Sequence, residues 1–249
     1  MICQLCKEEK KLCKAHLVPE SFFRYLYPSG KVEEEALKKI SSTDGYIKRS
    51  WTGIYDDNIL CADCDNKLGE FDNYGRYLFL ESTPEIFMSS GKDSAYYFQD
   101  ADIDKLTLFI LSILWRFSIS NLPETQTVQF KGRFGKKLFE IINQRNKNNI
   151  HEFSIVITRF KYHSTKKSSK QYFQFPERHR LNGINYIKFY LPNGYKIFIK
   201  VDSRDQPAEL VPLTLGGSDK ALIIGYELFE GSHEHKRLLK HLIKHKDRI

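Results

Sequence analysis

The chain has 249 residues, 41% of them hydrophobic, and a formal net charge of +8. That length and apolar content support a sizeable core and exclude wholesale disorder. The longest apolar stretch, Leu106 to Trp115, falls short of the roughly 20 residues that cross a bilayer. Met1-Ile2-Cys3 runs at once into Lys7-Glu8-Glu9-Lys10-Lys11, unlike a secretory leader, so a cytoplasmic protein with no membrane partner is expected.

Cysteines come first in chain order. Cys3-Gln4-Leu5-Cys6 and Cys61-Ala62-Asp63-Cys64 are two Cys-x-x-Cys pairs, 54 residues apart, with Cys13 left over as a structural residue. An odd total of five is not the pattern of a secreted disulfide scaffold. A redox dithiol would need one pair only. Two pairs can turn four thiolates toward one ion, which fits a closed tetrahedral structural Zn²⁺ site. The long gap requires an insertion, over about residues 20–57, to loop out.

Residues 76–149 read as mostly helical. Asp102 or Asp104 can cap a helix running to about Ser118, with Leu106, Phe109, Ile110, Ile113 and Leu114 at helical spacing. Leu108, Phe109, Trp115 and Phe117 point to different sides of it, a pattern of burial within the chain's own fold, with a docking face for a protein partner or second copy as the alternative. A second helix is expected from Gly135 to Asn146, with Leu138, Ile141 and Ile142 on one face.

From about residue 150 the pattern turns to strand. Phe153, Ile155 and Ile157 alternate with Ser154, Val156 and Thr158. Tyr186 to Leu191, Asn193-Gly194 and Tyr195 to Val201 spell a hairpin, because Asn-Gly supplies positive φ angles. A strand around Ala221 to Phe229 precedes a final helix capped by Ser232, with Leu238, Leu239, Leu242 and Ile243 as its apolar stripe. The expected class is α+β: a zinc-bound ββα (treble-clef-like) module over 1–75, a helical region over 76–149, and an antiparallel β region with a terminal helix over 150–249.

The order of motifs in the first 75 residues is similar to that of the HNH, or ββα-metal, nucleases. Ala15-His16-Leu17-Val18-Pro19 follows the first cysteine pair, and Asp57-Asn58-Ile59-Leu60 leads into Cys61-Ala62-Asp63-Cys64-Asp65. The resemblance covers about residues 3–75. It implies a metal-dependent endonuclease in which His16 is the general base and Asn58 orients the segment around it. A divalent Mg²⁺ or Mn²⁺ would stabilise the scissile phosphate. The sequence departs from the family at Ala15, which offers no ligand, and at Asp65, where His or Asn is usual. Asp65 and Asp72, seven residues apart on one helix face, could rebuild a divalent site with His16. The alternative is a catalytically inert zinc module that binds nucleic acid or acts as a protein adaptor.

The expected polyanion is nucleic acid, DNA foremost. Residues 131–180 hold 13 basic residues against 3 acidic ones. Within or near that run, Arg133, Lys136, Lys137, Arg159, Lys161, Lys166, Lys167 and Lys170 are the candidate phosphate contacts.

Overall fold

The structure is a computed structural model that describes residues 1–26, 37–40, 47–50, 53–89, 92–130, 132–145, 150–161, 173–216 and 222–244. It is an α+β fold with a seven-stranded sheet and several helices. Among the described residues no helix is long and apolar enough to cross a membrane.

The N-terminal part contains strand β1 (Ala15–His16), helix α1 (Glu20–Tyr25), the pair β2 (Leu37–Ile40) and β3 (Ile47–Ser50), strand β4 (Tyr55–Asp56) and helix α2 (Ala62–Arg76). β1 and β4 pair antiparallel, with His16 opposite Tyr55 and Ala15 opposite Asp56. The α2 helix continues into one π-helical turn over Tyr77–Glu81.

Helix α3 (Ile103–Ile119) starts where Asp102 accepts hydrogen bonds from the backbone N–H groups of Asp104 (3.1 Å) and Lys105 (3.0 Å), the N-cap contact that its short carboxylate can reach. Every residue from Leu106 to Phe117 is buried, so the apolar sides of this helix are covered by the chain itself. Helix α4 (Arg133–Gln144) buries Leu138, Ile141 and Ile142 as one stripe.

The large sheet is built from β5 (Glu85–Ser89), β6 (Lys92–Phe98), β7 (Ile155–Lys161), β8 (Gln174–Leu181), β9 (Ile184–Leu191), β10 (Tyr195–Lys200) and β11 (Leu222–Leu228), in the order β5-β6-β11-β7-β10-β9-β8. At the β9–β10 hairpin Leu191 faces Tyr195, and Asn193 (φ 65°) and Gly194 (φ 82°) supply the positive angles of the turn. Two features depart from expectation. Residues 85–98, in the expected helical region, form the strands β5 and β6. In addition, β11 runs parallel to β7, so the sheet is mixed and not wholly antiparallel. Short aromatic-rich runs such as Ala95-Tyr96-Tyr97-Phe98 carry no helical or alternating period, so periodicity does not separate helix from strand there.

Alternation along the central strands divides the sheet into two faces. Ile155, Ile157, Ile187, Phe189, Tyr195 and Ile197 join the main core, which runs without interruption from Cys3 to Ile224. The opposite face carries Phe160, Tyr190 and Phe229, together with Lys188 and Lys196, beneath helix α5 (His233–Lys244). The buried ammonium groups meet carboxylates there: Lys196 lies 3.2 Å from Glu227 and 3.4 Å from Glu234, and Lys188 lies 3.5 Å from Glu177. Ser232 caps α5 through the N–H of His235 (3.1 Å). Leu239 is exposed, and the side chains of Leu238, Leu242 and Ile243 lie outside the described residues.

The N-terminal part joins this core through aromatic contacts. Phe109 of α3 stacks on Phe22 at 5.7 Å and meets Phe79 at 6.0 Å, and Phe79 packs on Tyr195 of the sheet at 4.4 Å. Gly75 of α2 makes the crossing with α3 possible, since a Cβ there would lie 2.5 Å from the Phe109 ring. Gly75→Ala should therefore lower stability by about 1–3 kcal/mol through overpacking. Helix propensity alone predicts the opposite sign, a gain of up to about 1 kcal/mol. Urea denaturation of the two proteins distinguishes these outcomes.

Candidate metal centre and the His16 site

The first cysteine pair sits in a tight turn that begins the chain, where the N–H of Lys7 donates to Cys3 O (3.0 Å) and forces Lys7 to a left-handed φ of 62°. The second pair straddles the start of α2, with Cys61 at its N-cap and Cys64 in its first turn. Main-chain hydrogen bonds bring the two pairs together. Gln4 N–H donates to Ile59 O (2.8 Å), Cys13 N–H donates to Leu60 O (2.8 Å), and Leu12 bridges to Cys61. The Sγ atoms of Cys3, Cys6, Cys61 and Cys64 all lie within 4.8 Å of one another. A regular tetrahedron with metal–sulfur bonds of about 2.3 Å places its sulfurs about 3.8 Å apart, so the cluster can close on one ion with small adjustments.

Electrostatics in the cluster favour a cation. Burial pushes the Cys3 thiol up, but the N–H groups of Cys61, Cys6 and Leu5 and the Cys6 thiol outweigh it and bring it down to about 6. Burial and the three neighbouring sulfurs push Cys64 the other way. Sulfurs this close cannot all ionise unaided, and a bound divalent cation removes that conflict. Cys13 stands outside the group. Burial, Asp65 and Cys61 hold its thiol in the protonated form.

His16 lies beyond this centre on β1, held by a residue that periodicity alone does not single out. Arg116, in the last turn of the apolar helix α3, is 1% exposed, and its guanidinium uses every donor it has. Nη1 donates to the carbonyl oxygen of His16 (2.8 Å) and to Asp72 Oδ2 (2.9 Å). Nη2 donates to Asp72 Oδ1 (2.6 Å) and Ser112 Oγ (3.2 Å), and Nε donates to Ser112 O (3.3 Å). One turn on, Ser120 Oγ donates to buried Asp56 of β4 (2.7 Å). The end of α3 thus grips both strands of the β1–β4 pair. The only sequence signal for Arg116 is a lone cation embedded in an apolar helix, which must find a counter-charge somewhere.

The expected site residues divide accordingly. Asp72 is committed to Arg116 in a two-point ion pair. Asn58 is exposed, and its amide donates to the neighbouring Asp57 (2.8 Å). Ala15 is fully buried. Asp65 remains half-buried with no ion pair or side-chain hydrogen bond among the described residues. Burial holds its carboxyl above the usual carboxylate value, with Asp72 acting in the same sense and Arg116 and His16 against it. The imidazole of His16 is pushed below its ordinary value by burial, with Lys14 and Arg116 acting in the same sense and Glu20 and Asp65 against it. Its Nε2 atom is buried and has no hydrogen-bond partner among the described residues. His16, Asp65 and Asp72 do not converge as a three-ligand metal group; among the described residues only the four cysteines do.

The expected phosphate contacts are similarly divided. Arg133 and Lys137 both pair with Glu152, Lys137 at 2.7 Å. Lys136 is exposed and makes no ion pair among the described residues. Arg159 is half-buried between the rings of Tyr96 (4.7 Å) and Tyr195 (4.8 Å) and donates to Asn193 O (3.1 Å), a packing role. The side chain of Lys161, and Lys166, Lys167 and Lys170 altogether, lie outside the described residues.

Two outcomes follow from this geometry. Purified protein should carry about one equivalent of thiolate-bound metal by elemental analysis, and Cys61→Ser should lose it and destabilise the N-terminal part, because metal binding contributes to folding. Separately, Asp72→Ala leaves the Arg116 guanidinium buried without its counter-charge. It should cost about 3–5 kcal/mol in chemical denaturation, and adding Arg116→Met should recover part of that loss.

No protein-family model, curated protein or solved structure matches this chain, so the reading of the site rests on its own residues and geometry.

Proposed function

We propose that this chain is a metal-dependent endonuclease that hydrolyses nucleic-acid phosphodiester bonds, with β1, β4 and α2 as an HNH-like ββα (treble-clef-like) module around a structural Zn²⁺. Zinc is the ion that four thiolates in a tetrahedron suit best, and a closed four-sulfur shell leaves it a structural role.

The observation that carries the reading is the imidazole of His16. It sits on the strand that the metal centre and Arg116 jointly position, it is held neutral by burial, and its Nε2 is unpartnered. A buried ring nitrogen without a protein partner is free to accept a hydrogen bond from a water or a ligand. Water is a poor nucleophile at neutral pH, and a neutral imidazole within hydrogen-bond reach can accept its proton as the water attacks phosphorus. Arg116 and Asp72 then act as positioning residues: Arg116 holds the His16 main chain, and Asp72 holds Arg116. Of the two described carboxylates that act electrostatically on the ring, Glu20 pairs with Arg24 and Asp65 is left uncommitted. Mg²⁺ commonly takes one or two protein carboxylates and completes its shell with substrate phosphates and water, so Asp65 is the residue that would hold it. Such an ion supplies charge neutralisation at the scissile phosphate.

A second reading keeps the zinc module as an inert nucleic-acid-binding or adaptor unit. Buried Ala15 and the engagement of Asp72 by Arg116 favour it, because together they remove two groups from a preformed divalent site.

Wild-type protein with Mg²⁺ or Mn²⁺ should cut DNA or RNA, and His16→Ala should reduce the rate at least 100-fold, on the order of a general base's contribution, with zinc content unchanged. The base must be neutral to act, and burial lowers its pKa. The acid limb of the pH–rate profile should therefore lie below the ordinary imidazole value of 6.5. Wild-type rates in His16→Ala would remove the base from the proposal, and failure of the wild-type protein to cut any substrate would favour the inert module.

A further inference from the structure

The end of α3, the first half of α4 and the first cysteine turn enclose an open cavity of about 320 Å³. Trp115, only 1% exposed, is its floor, and the half-buried rings of Phe130 and Phe139 line its sides. Arg178, which does not line the cavity, approaches the Phe130 ring at 6.0 Å while donating to Thr127 O (2.8 Å). Lys7 Nζ lies 4.9 Å over the Phe139 centroid. Lys136 also lines the cavity, is exposed and has no ion pair among the described residues, and no carboxylate lines the space. At the mouth, α4 begins at Gly132 with no side-chain cap and no acidic residue in its first turn. Its free N–H groups add to the positive potential. Lys7 is carried on the first cysteine turn, and its Nζ donates to the side chain of Gln4 (3.3 Å), which also lines the cavity.

We propose that this cavity is a subsite for one unstacked nucleotide of single-stranded nucleic acid, its base against Phe130 and Phe139 and its phosphate on Lys7 and Lys136. The identity of the ligand rests on the nucleic-acid reading above. The physical argument for a nucleotide has three parts. The volume is at the lower end of the range for small-ligand sites. Aromatic walls bind bases through their faces, which a stacked duplex does not offer. A site with two cations, Lys7 and Lys136, and no carboxylate among its described lining residues selects an anion over a neutral apolar group.

The test uses the full chain. It contains two tryptophans, so Trp51→Phe leaves Trp115 as the only indole reporter. A short oligothymidylate should change Trp115 fluorescence saturably. The same strand lacking its bases, or annealed into duplex, should bind at least several-fold more weakly by anisotropy. Lys136→Glu should weaken single-strand binding about tenfold and Lys7→Ala by several-fold. A silent Trp115 at saturated binding, equal affinity for the base-free strand, or unchanged affinity in Lys136→Glu overturns the subsite, as does fluorescence that responds only to an acidic aromatic peptide. Should Trp51→Phe fail to fold, the ratio of intact to base-free strand affinity in unaltered protein decides the matter. Failure here is separable from failure of the cleavage reading. Cutting with no base-dependent binding removes the subsite alone, whereas base-dependent binding without cutting removes the nuclease alone.

Discussion

A guanidinium buried inside an apolar helix is costly unless every N–H finds an acceptor and the charge finds a partner, and Arg116 meets both conditions only because three elements converge on it. Asp72 comes from α2, the His16 carbonyl from β1, and Ser112 from the preceding turn of α3 itself. Five donors in one rigid plane suit this arrangement, and the three donors of a lysine ammonium would not reproduce it. The result is a constraint on backbone position. With the His16 carbonyl fixed from one side and Asp56 held through Ser120 from the other, the β1–β4 pair cannot shift relative to α3 without stranding a buried charge.

The sulfur cluster constrains the same module from its opposite end. Two short turns, far apart in sequence, are drawn together by Gln4, Cys13 and Leu12 pairing with residues 59–61. A metal ion across those sulfurs closes the long intervening loop, and loop closure is where a covalent or coordinate link contributes most to stability. The cysteine cluster and the arginine clamp thus bracket His16. Behind them, Phe22, Phe109, Phe79 and Tyr195 form a continuous aromatic path from the module to the sheet, so the N-terminal part shares a core with the rest of the chain.

The parts legible in advance are those whose physics is local. Asp102 and Ser232 cap helices because a short polar side chain reaches the N–H groups two or three residues on. The Asn193-Gly194 turn needs positive φ angles, and the Leu138-Ile141-Ile142 stripe needs one buried helix face. The short apolar runs of β5 and β6 are ambiguous by comparison. The parallel β7–β11 pair brings together segments separated by a long crossover, and no local pattern encodes which strand becomes the neighbour.

The same division applies to the site. Two Cys-x-x-Cys pairs by themselves point to a possible metal site, because each pair presents two thiolates in one turn and the soft-ligand preference is a property of sulfur. Only the tertiary structure decides what becomes of the carboxylates and basic residues. Asp65 and Asp72 share a helix face and look equivalent in sequence, yet Arg116 engages one and leaves the other uncommitted. Arg133, Lys136 and Lys137 lie in one basic run, yet Glu152 pairs with two of them and leaves Lys136 without an ion pair among the described residues. The reason is physical. Covalent spacing limits ligand geometry within a turn, but the charge state and freedom of a side chain depend on its counter-charge and burial, and those come from residues that only folding brings near.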